Sequence, residues 1–158
     1  MDWRTLFLSP DGRISRQTFW IGVLILLGVN VLLGWIPLVG FFVWAVSVYC
    51  GVCINSKRLH DMGRSGWLQA VPWAVWVVAM VIGLAVGGAS MMAGWAGGAH
   101  SSNAMMMGAA GGFGLMMVLV SLAMLVFLGF LLWVGLTPGQ PEANKYGDPP
   151  PASPLPAA

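Results

Sequence analysis

Charge is what this sequence is short of. Aspartate, glutamate, lysine and arginine make up 8% of its 158 residues, where a water-soluble domain carries about a quarter. The shortage is uneven: no charged side chain occurs across residues 17–56, nor across 65–141. Two such blocks cannot supply a solvated surface, which excludes a soluble fold. Cysteine is scarce too. Cys50 and Cys53 are too few and too close together for a secreted disulfide framework. Their spacing is that of a redox pair, but with no charge nearby to activate a thiol they read as buried and inert. Metal-ligand spacing, a nucleophile elbow and a phosphate loop are all missing, so no cofactor and no metal are expected. The formal net charge of +2, without aromatics interleaved among basic runs, argues against nucleic acid.

What is present in quantity is apolar length: 58% of the chain is hydrophobic. A bilayer core needs roughly 20 apolar residues in a helix. Four segments qualify, at about 18–36, 38–56, 67–88 and 113–136. The expected fold is therefore an all-α integral membrane protein with a four-helix membrane domain over 1–136. Arg13 and Arg16 before an apolar run could open a cleaved signal, but the run from Phe19 to Ile36 exceeds the usual length of about 7–15 residues. With no small-x-small site in Gly34-Trp35-Ile36-Pro37, a retained helix is expected. Pro37, between Gly34 and Gly40, predicts a tight hairpin joining the first two spans. Ser15 is placed to cap the first span, after a turn at Pro10-Asp11-Gly12. Trp3, Leu6 and Phe7 share one face of a short interfacial helix.

The seven cations fix the expected orientation. Arg4, Arg13 and Arg16 precede the first span, Lys57, Arg58 and Arg64 lie between the second and third, and Lys145 follows the fourth. With four spans all fall on one side, and the positive-inside rule puts both termini in the cytoplasm. Residues 89–112, rich in Gly, Ala, Ser and Met, are expected as a mobile external loop. Met91, Met92 and Met105–Met107 around His100 hold ligand types that favour Cu(I). Methionine is also ordinary apolar filler, and without a spaced repeat filler is the preferred reading. Seven of the ten prolines lie between Pro138 and Pro156, which predicts an extended or disordered cytoplasmic tail over 137–158. Gly83 with Gly87, and Gly108 with Gly112, are small-xxx-small pairs that permit close helix contact, within the chain or in a homodimer.

The densest polar cluster runs from Lys57 to Trp67. If helix continues out of the second span, Asp61 lies four residues after Lys57, three after Arg58 and three before Arg64. Those spacings would let one carboxylate organise three cations. Gly63 and Gly66 mark a possible helix break that would aim backbone N–H groups at an anion. Positive-inside bias needs cations alone. His60, Asp61, Ser65 and the glycines therefore suggest a polar network or anion site rather than a mere topology signal.

Three stretches carry a resemblance. Gly12-Arg13-Ile14-Ser15-Arg16-Gln17-Thr18-Phe19-Trp20 resembles the opening signature of a bacterial inner-membrane family catalogued as domain of unknown function 805. Arg58-Leu59-His60-Asp61 with Arg64-Ser65-Gly66-Trp67 is similar to its central signature, and Gly139 with Asn144-Lys145-Tyr146-Gly147 and Pro149 to its closing one. The order is the family's. This chain departs from the pattern in Leu68, where a second tryptophan is common, in extra residues before Asn144, and in the long Met-rich segment. The resemblance implies a small polytopic protein of the bacterial cytoplasmic membrane and no assigned activity.

All three signatures fall on the side the cations select, so they are expected to converge, the tail folding back over the His-Asp segment. The expected function is a non-enzymatic binding or scaffolding subunit. Its anion or lipid-headgroup site would comprise Arg13, Arg16, Lys57, Arg58, His60, Asp61, Arg64, Ser65, Asn144 and Lys145. The expected partners are the bilayer, anionic phospholipid headgroups, and a membrane protein or second copy. The alternative is a membrane enzyme using His60 and Asp61 as acid and base on a lipid-linked or phosphorylated substrate. The spans carry no ionisable side chain beyond the cysteines and Tyr49, which argues against coupled transport.

Overall fold

The computed structural model describes residues 3–96 and 102–150, with the remainder at the two termini and around residue 100 outside that description. Helices follow in the order α1 (Trp3–Leu8), α2 (Arg16–Leu33), α3 (Val39–Asp61), a 3₁₀ turn (Gly66–Gln69), α4 (Ala70–Ala96) and α5 (Ser102–Leu136). No strand occurs among the described residues. Four segments are long and apolar enough to cross a bilayer: Arg16–Leu33, Val39–Asp61, Gly66–Ser90 and Ala110–Leu136. The chain is an all-α integral membrane protein with four transmembrane helices.

The chain divides into two compact units, Met1–Gln69 with Leu131–Ala158, and Ala70–Phe130. In the first, α2 starts as its sequence demands. Ser15 is extended, and its Oγ accepts from Thr18 N at 3.2 Å. Gly34 ends the helix, and the turn at Pro37 sends the chain into α3, giving the expected hairpin. Gly22 lets Ile54 close on α2, since a Cβ there would lie 2.9 Å from Ile54 Cδ1. Asn30 Nδ2 donates to Ser47 Oγ at 2.7 Å, a bond between α2 and α3 inside the apolar segment. α1 packs against α3 with Leu6 buried.

In the second unit, α4 and α5 meet through glycine. A Cβ on Gly112 would lie 2.8 Å from Gly87 Cα, and one on Gly83 would lie 3.1 Å from Met116 Cγ. The edge of Trp73 meets Phe127 at 5.5 Å. Gly83, Gly87 and Gly112 thus serve contact within the chain. Most large apolar side chains here, such as Val81, Leu84, Leu122 and Leu125, are exposed, as lipid-facing residues are.

The stretch 89–112, expected as a mobile external loop, is helical over much of its length: α4 continues to Ala96 and α5 begins at Ser102. The expected spans stopped where hydrophobicity fell. Helix hydrogen bonding does not stop there, because alanine and methionine are strong helix formers in or out of lipid. His100, on which the copper reading turns, lies outside the described residues, as do tail residues 151–158.

Candidate functional site

The polar site begins with the way α3 ends. The helix runs a turn and more beyond its apolar stretch, and Gly63, at φ 71, stops it. Arg64 N donates to Leu59 O at 2.8 Å and Gly63 N to His60 O at 3.0 Å. This paired closure of a helix C-terminus is a Schellman motif. The N–H groups of this turn therefore serve the helix's own carbonyls, which overturns the expectation that they face an anion.

Around that end the three separated sequence stretches meet. The Asp61 carboxylate is held by Arg13, with Nε at 3.1 Å and Nη2 at 3.0 Å from Oδ1, and by Arg58 through its Oδ2. The Arg13 and Asp61 side chains are 1% and 4% exposed. So buried an ion pair is stable only where every remaining donor finds an acceptor. Here the acceptors are backbone carbonyls. Arg13 donates to Gln140 O at 2.5 Å, Glu142 O at 2.8 Å and Gly147 O at 3.1 Å. Arg58 donates to Val134 O at 3.2 Å, to Ile14 O at 3.4 Å and to Thr137 O. Arg16 reaches Leu136 O at 3.4 Å.

These bonds explain why arginines stand at these positions. A helix leaves its last carbonyls unpaired and carries partial negative charge at that end. The C-terminus of α5 is capped by Arg58 from α3 and Arg16 from α2. Planar guanidinium forks can serve a carboxylate and several carbonyls together, which an ammonium cannot.

The tail is tied down rather than loose. Gln140 N donates to Asp61 O at 2.8 Å, and Asn144 Nδ2 donates to His60 O at 3.0 Å and Gln140 Oε1 at 2.9 Å. Asn144 Oδ1 accepts from Tyr146 N, closing a turn whose ends pair at Asn144 and Gly147. The Tyr146 ring stacks on His60 with centroids 3.8 Å apart and planes 8° from parallel. Gly139 passes against the Asp61 carboxylate, where a Cβ would overlap it.

The expected site residues therefore separate into groups. Arg13, Arg58, His60, Asp61 and Asn144 form one interlocked cap. Lys57 is buried and donates to Thr5 O. Arg64, expected on Asp61, turns instead to the face of Trp133, 5.4 Å from its centroid. Arg16, Arg64, Ser65 and Lys145 are exposed, and Lys145 sits 4.9 Å over the Tyr146 ring. Of the three cations spaced around Asp61 in sequence, Arg58 is on the carboxylate, and the second arginine comes from the far side of the hairpin. Helical spacing could not have found Arg13 as its partner. Nor did it mark Gln140, whose backbone N–H joins the tail to α3 and whose side chain accepts from Asn144.

His60 and Asp61 are neighbours in sequence but face different partners. The carboxylate lies between guanidiniums and the imidazole lies flat on Tyr146. Ser65 Oγ accepts from Trp67 N at 3.3 Å. This geometry favours a structural use of the pair over acid–base chemistry.

No curated protein and no solved structure matches the chain. Residues 7–148 match the family described as "Protein of unknown function (DUF805)". That match runs from the end of α1 through the tail turn at Gly147 and takes in the three converging stretches except Pro149, and the chain belongs to this family.

Proposed function

We propose that this protein is a non-enzymatic binding or scaffolding subunit of a bacterial cytoplasmic membrane, both termini cytoplasmic, with a site for anionic lipid headgroups on its cap. One observation carries the reading: the cap neutralises its one buried carboxylate with two buried guanidiniums and still carries Arg16, Arg64 and Lys145 exposed. Cations held near a membrane surface attract anionic headgroups by about 1 kcal/mol each. Exposed Trp67 and Trp133, the latter under Arg64, suit the same interfacial depth. The orientation draws support from the cap itself. Arg13 and the tail both bond to the end of α3, so the N-terminal segment and the tail share one side, and that side holds the cations.

Native mass spectrometry of protein extracted from mixed phosphatidylcholine and phosphatidylglycerol bilayers tests the reading. Retention of phosphatidylglycerol above its share of the bilayer is the expected result. Retention in proportion to the bilayer composition would sink it.

A further inference from the structure

The turn of the α2–α3 hairpin lies at the opposite end of α3 from the cap, and its chemistry is unlike that of a loop in water. We infer that the hairpin stops inside the bilayer, its tip a contact surface for the phospholipids of the leaflet opposite the cap. Trp35, Leu38, Phe41 and Phe42 lie among the glycerol esters and upper acyl chains of that leaflet.

Composition is the first argument. Between Asn30 and Ser47 every residue is apolar, aromatic, glycine or proline, and the tryptophan indoles are the only side-chain donors. A turn that emerges into water ordinarily carries polar residues such as Asn, Asp and Ser. Here Trp35 is 84% exposed, Leu38 78%, Phe41 64% and Phe42 65%. An exposed apolar surface of this kind marks contact with lipid or protein rather than with water. Tryptophan, with its amphipathic ring, collects at membrane interfaces, and Trp35 and Trp44 flank this tip.

Helix length selects lipid as the occupant. α2 has 18 residues, about 27 Å at the α-helical rise, against a hydrocarbon core of about 30 Å. It starts at Arg16, whose guanidinium reaches Leu136 O on the cap side. From there α2 can reach the far edge of the hydrocarbon but has no residues left to pass it. The spans of 25 and 27 residues in the other unit are under no such limit. A bilayer thins around a short span, which brings the lipid esters down to the tip.

The backbone of the turn agrees. Gly34 N donates to Asn30 O at 2.8 Å, Ile36 N to Leu33 O at 3.2 Å and Gly40 N to Ile36 O at 2.7 Å. Leu38, at φ 65 and ψ −56, forms a γ-turn in which Val39 N donates to Pro37 O at 2.8 Å. Pairing so much of its own backbone is what a chain must do where water is scarce. A positive φ favours glycine, so an exposed leucine there is strained. Glycine would relieve the strain and lose only the apolar side chain, which has a use at the tip if it enters acyl chains.

Depth measurement by spin label tests the inference. Leu38→Cys is made in a Cys50→Ala, Cys53→Ala background, and the full chain is placed in phosphatidylcholine and phosphatidylglycerol bilayers. Collisions of the attached nitroxide with dissolved oxygen and with a water-soluble nickel chelate report its surroundings. Leu24→Cys, midway along α2, and Asp148→Cys, in the tail, give the lipid and water references; both positions are exposed. The oxygen-to-chelate ratio at position 38 is expected to exceed that at 148 by at least about tenfold, because a polar chelate stays out of the apolar layer. Phe41→Cys should give the same result, and it decides the matter should Leu38→Cys fail to fold. A ratio as low as that at 148 would put the tip in water and overturn the inference. Rare collisions with both reagents would mean that a second copy or another protein covers the tip, which would overturn lipid as its occupant.

Discussion

Each unit of the chain holds a cavity of about 380 Å³, one lined by apolar residues alone and the other by a mixture with charged and hydroxyl groups. The one in Ala70–Phe130 is bounded by alanine, valine, leucine and isoleucine, among them Ala79, Ile82, Leu119 and Ala123. The one in the unit that holds the cap sets Lys57, Arg13, Asp11 and the hydroxyls of Ser15 and Thr18 beside apolar Leu6 and Ile14. The difference extends to what holds each unit together. Residues 70–130 contain no charged side chain, and their helices approach through the missing side chains of Gly87 and Gly112. In lipid there is no hydrophobic force to join apolar helices, so close van der Waals contact must do it. The cap instead buries Phe19, Ile54, Leu59 and Val134 around an ion network. Two solvents are at work on one chain, lipid on the four spans and water on the cap, and each region uses the interaction its solvent makes effective.

The sharpest break of that contrast is Asp61→Asn. It leaves Arg13 and Arg58 buried without a counter-charge, and losing one member of such a network costs about 3–5 kcal/mol. The Gln140 amide, bonded to Asp61 O at 2.8 Å, reports it. Its hydrogen exchange should quicken by at least about a hundredfold, while amides in the middle of α4 keep their protection. Equal loosening of α4 would mean that the two units share one cooperative transition.

The reciprocal break is Gly112→Val. Side-chain atoms would fall where Gly87 Cα now sits, and overpacking of this kind costs about 1–3 kcal/mol. Thermal unfolding in detergent should begin earlier. Slow proteolysis of the tail at Lys145 is expected to stay as in wild type, since no cap bond involves Gly112.

How much of this was legible beforehand differs between the same two regions. Apolar runs longer than a bilayer is thick announce helices directly, so the four spans and the hairpin at Pro37 could be read from hydropathy and punctuation. Helix ends could not. Alanine and methionine carry α4 on to Ala96 although hydrophobicity has faded. In the cap, the placing of all three stretches on the side the cations select suggested that they meet, but local spacing misassigned the partners. Arg64 looked like an Asp61 partner three residues away, yet the Schellman turn at Gly63 redirects it to Trp133. Arg13 is 48 positions from Asp61 and reaches it because the α2–α3 hairpin brings it back. Such a contact is a product of the fold, and no periodicity records it. Gln140 acts largely through its backbone, which carries no sequence signal at all.

A smaller effect refines the cap side. Tyr146→Ala removes the stack on His60 but none of the bonds from Arg13 or Asn144 to the cap. An aromatic pair contributes about 0.5–1.5 kcal/mol. The Gly147 amide, bonded to Asn144 O at 2.9 Å, should exchange faster by up to about tenfold, with the Gln140 amide nearly unchanged. A loss at Gln140 as large as that of Asp61→Asn would make the stack, rather than the ion network, the fastening of the tail.

The smallest expected effect tests whether polarity is useful only in the cap. Asn30 and Ser47 place a hydrogen bond between α2 and α3 well inside the apolar segments. The expectation from helix pairs in membranes is about 0.6 kcal/mol, because a lone asparagine in lipid finds other acceptors. Asn30 already has one in Leu26 O, at 2.8 Å on its own helix. Asn30→Leu should therefore lower stability in detergent only slightly. The α2–α3 contact survives on Gly22 against Ile54 and on Gly40 against Gly34. A loss as large as that of Gly112→Val would mean that this single bond holds the hairpin. Van der Waals approach would then have to be restricted to α4 and α5, and the contrast between the units would become one of three strategies rather than two.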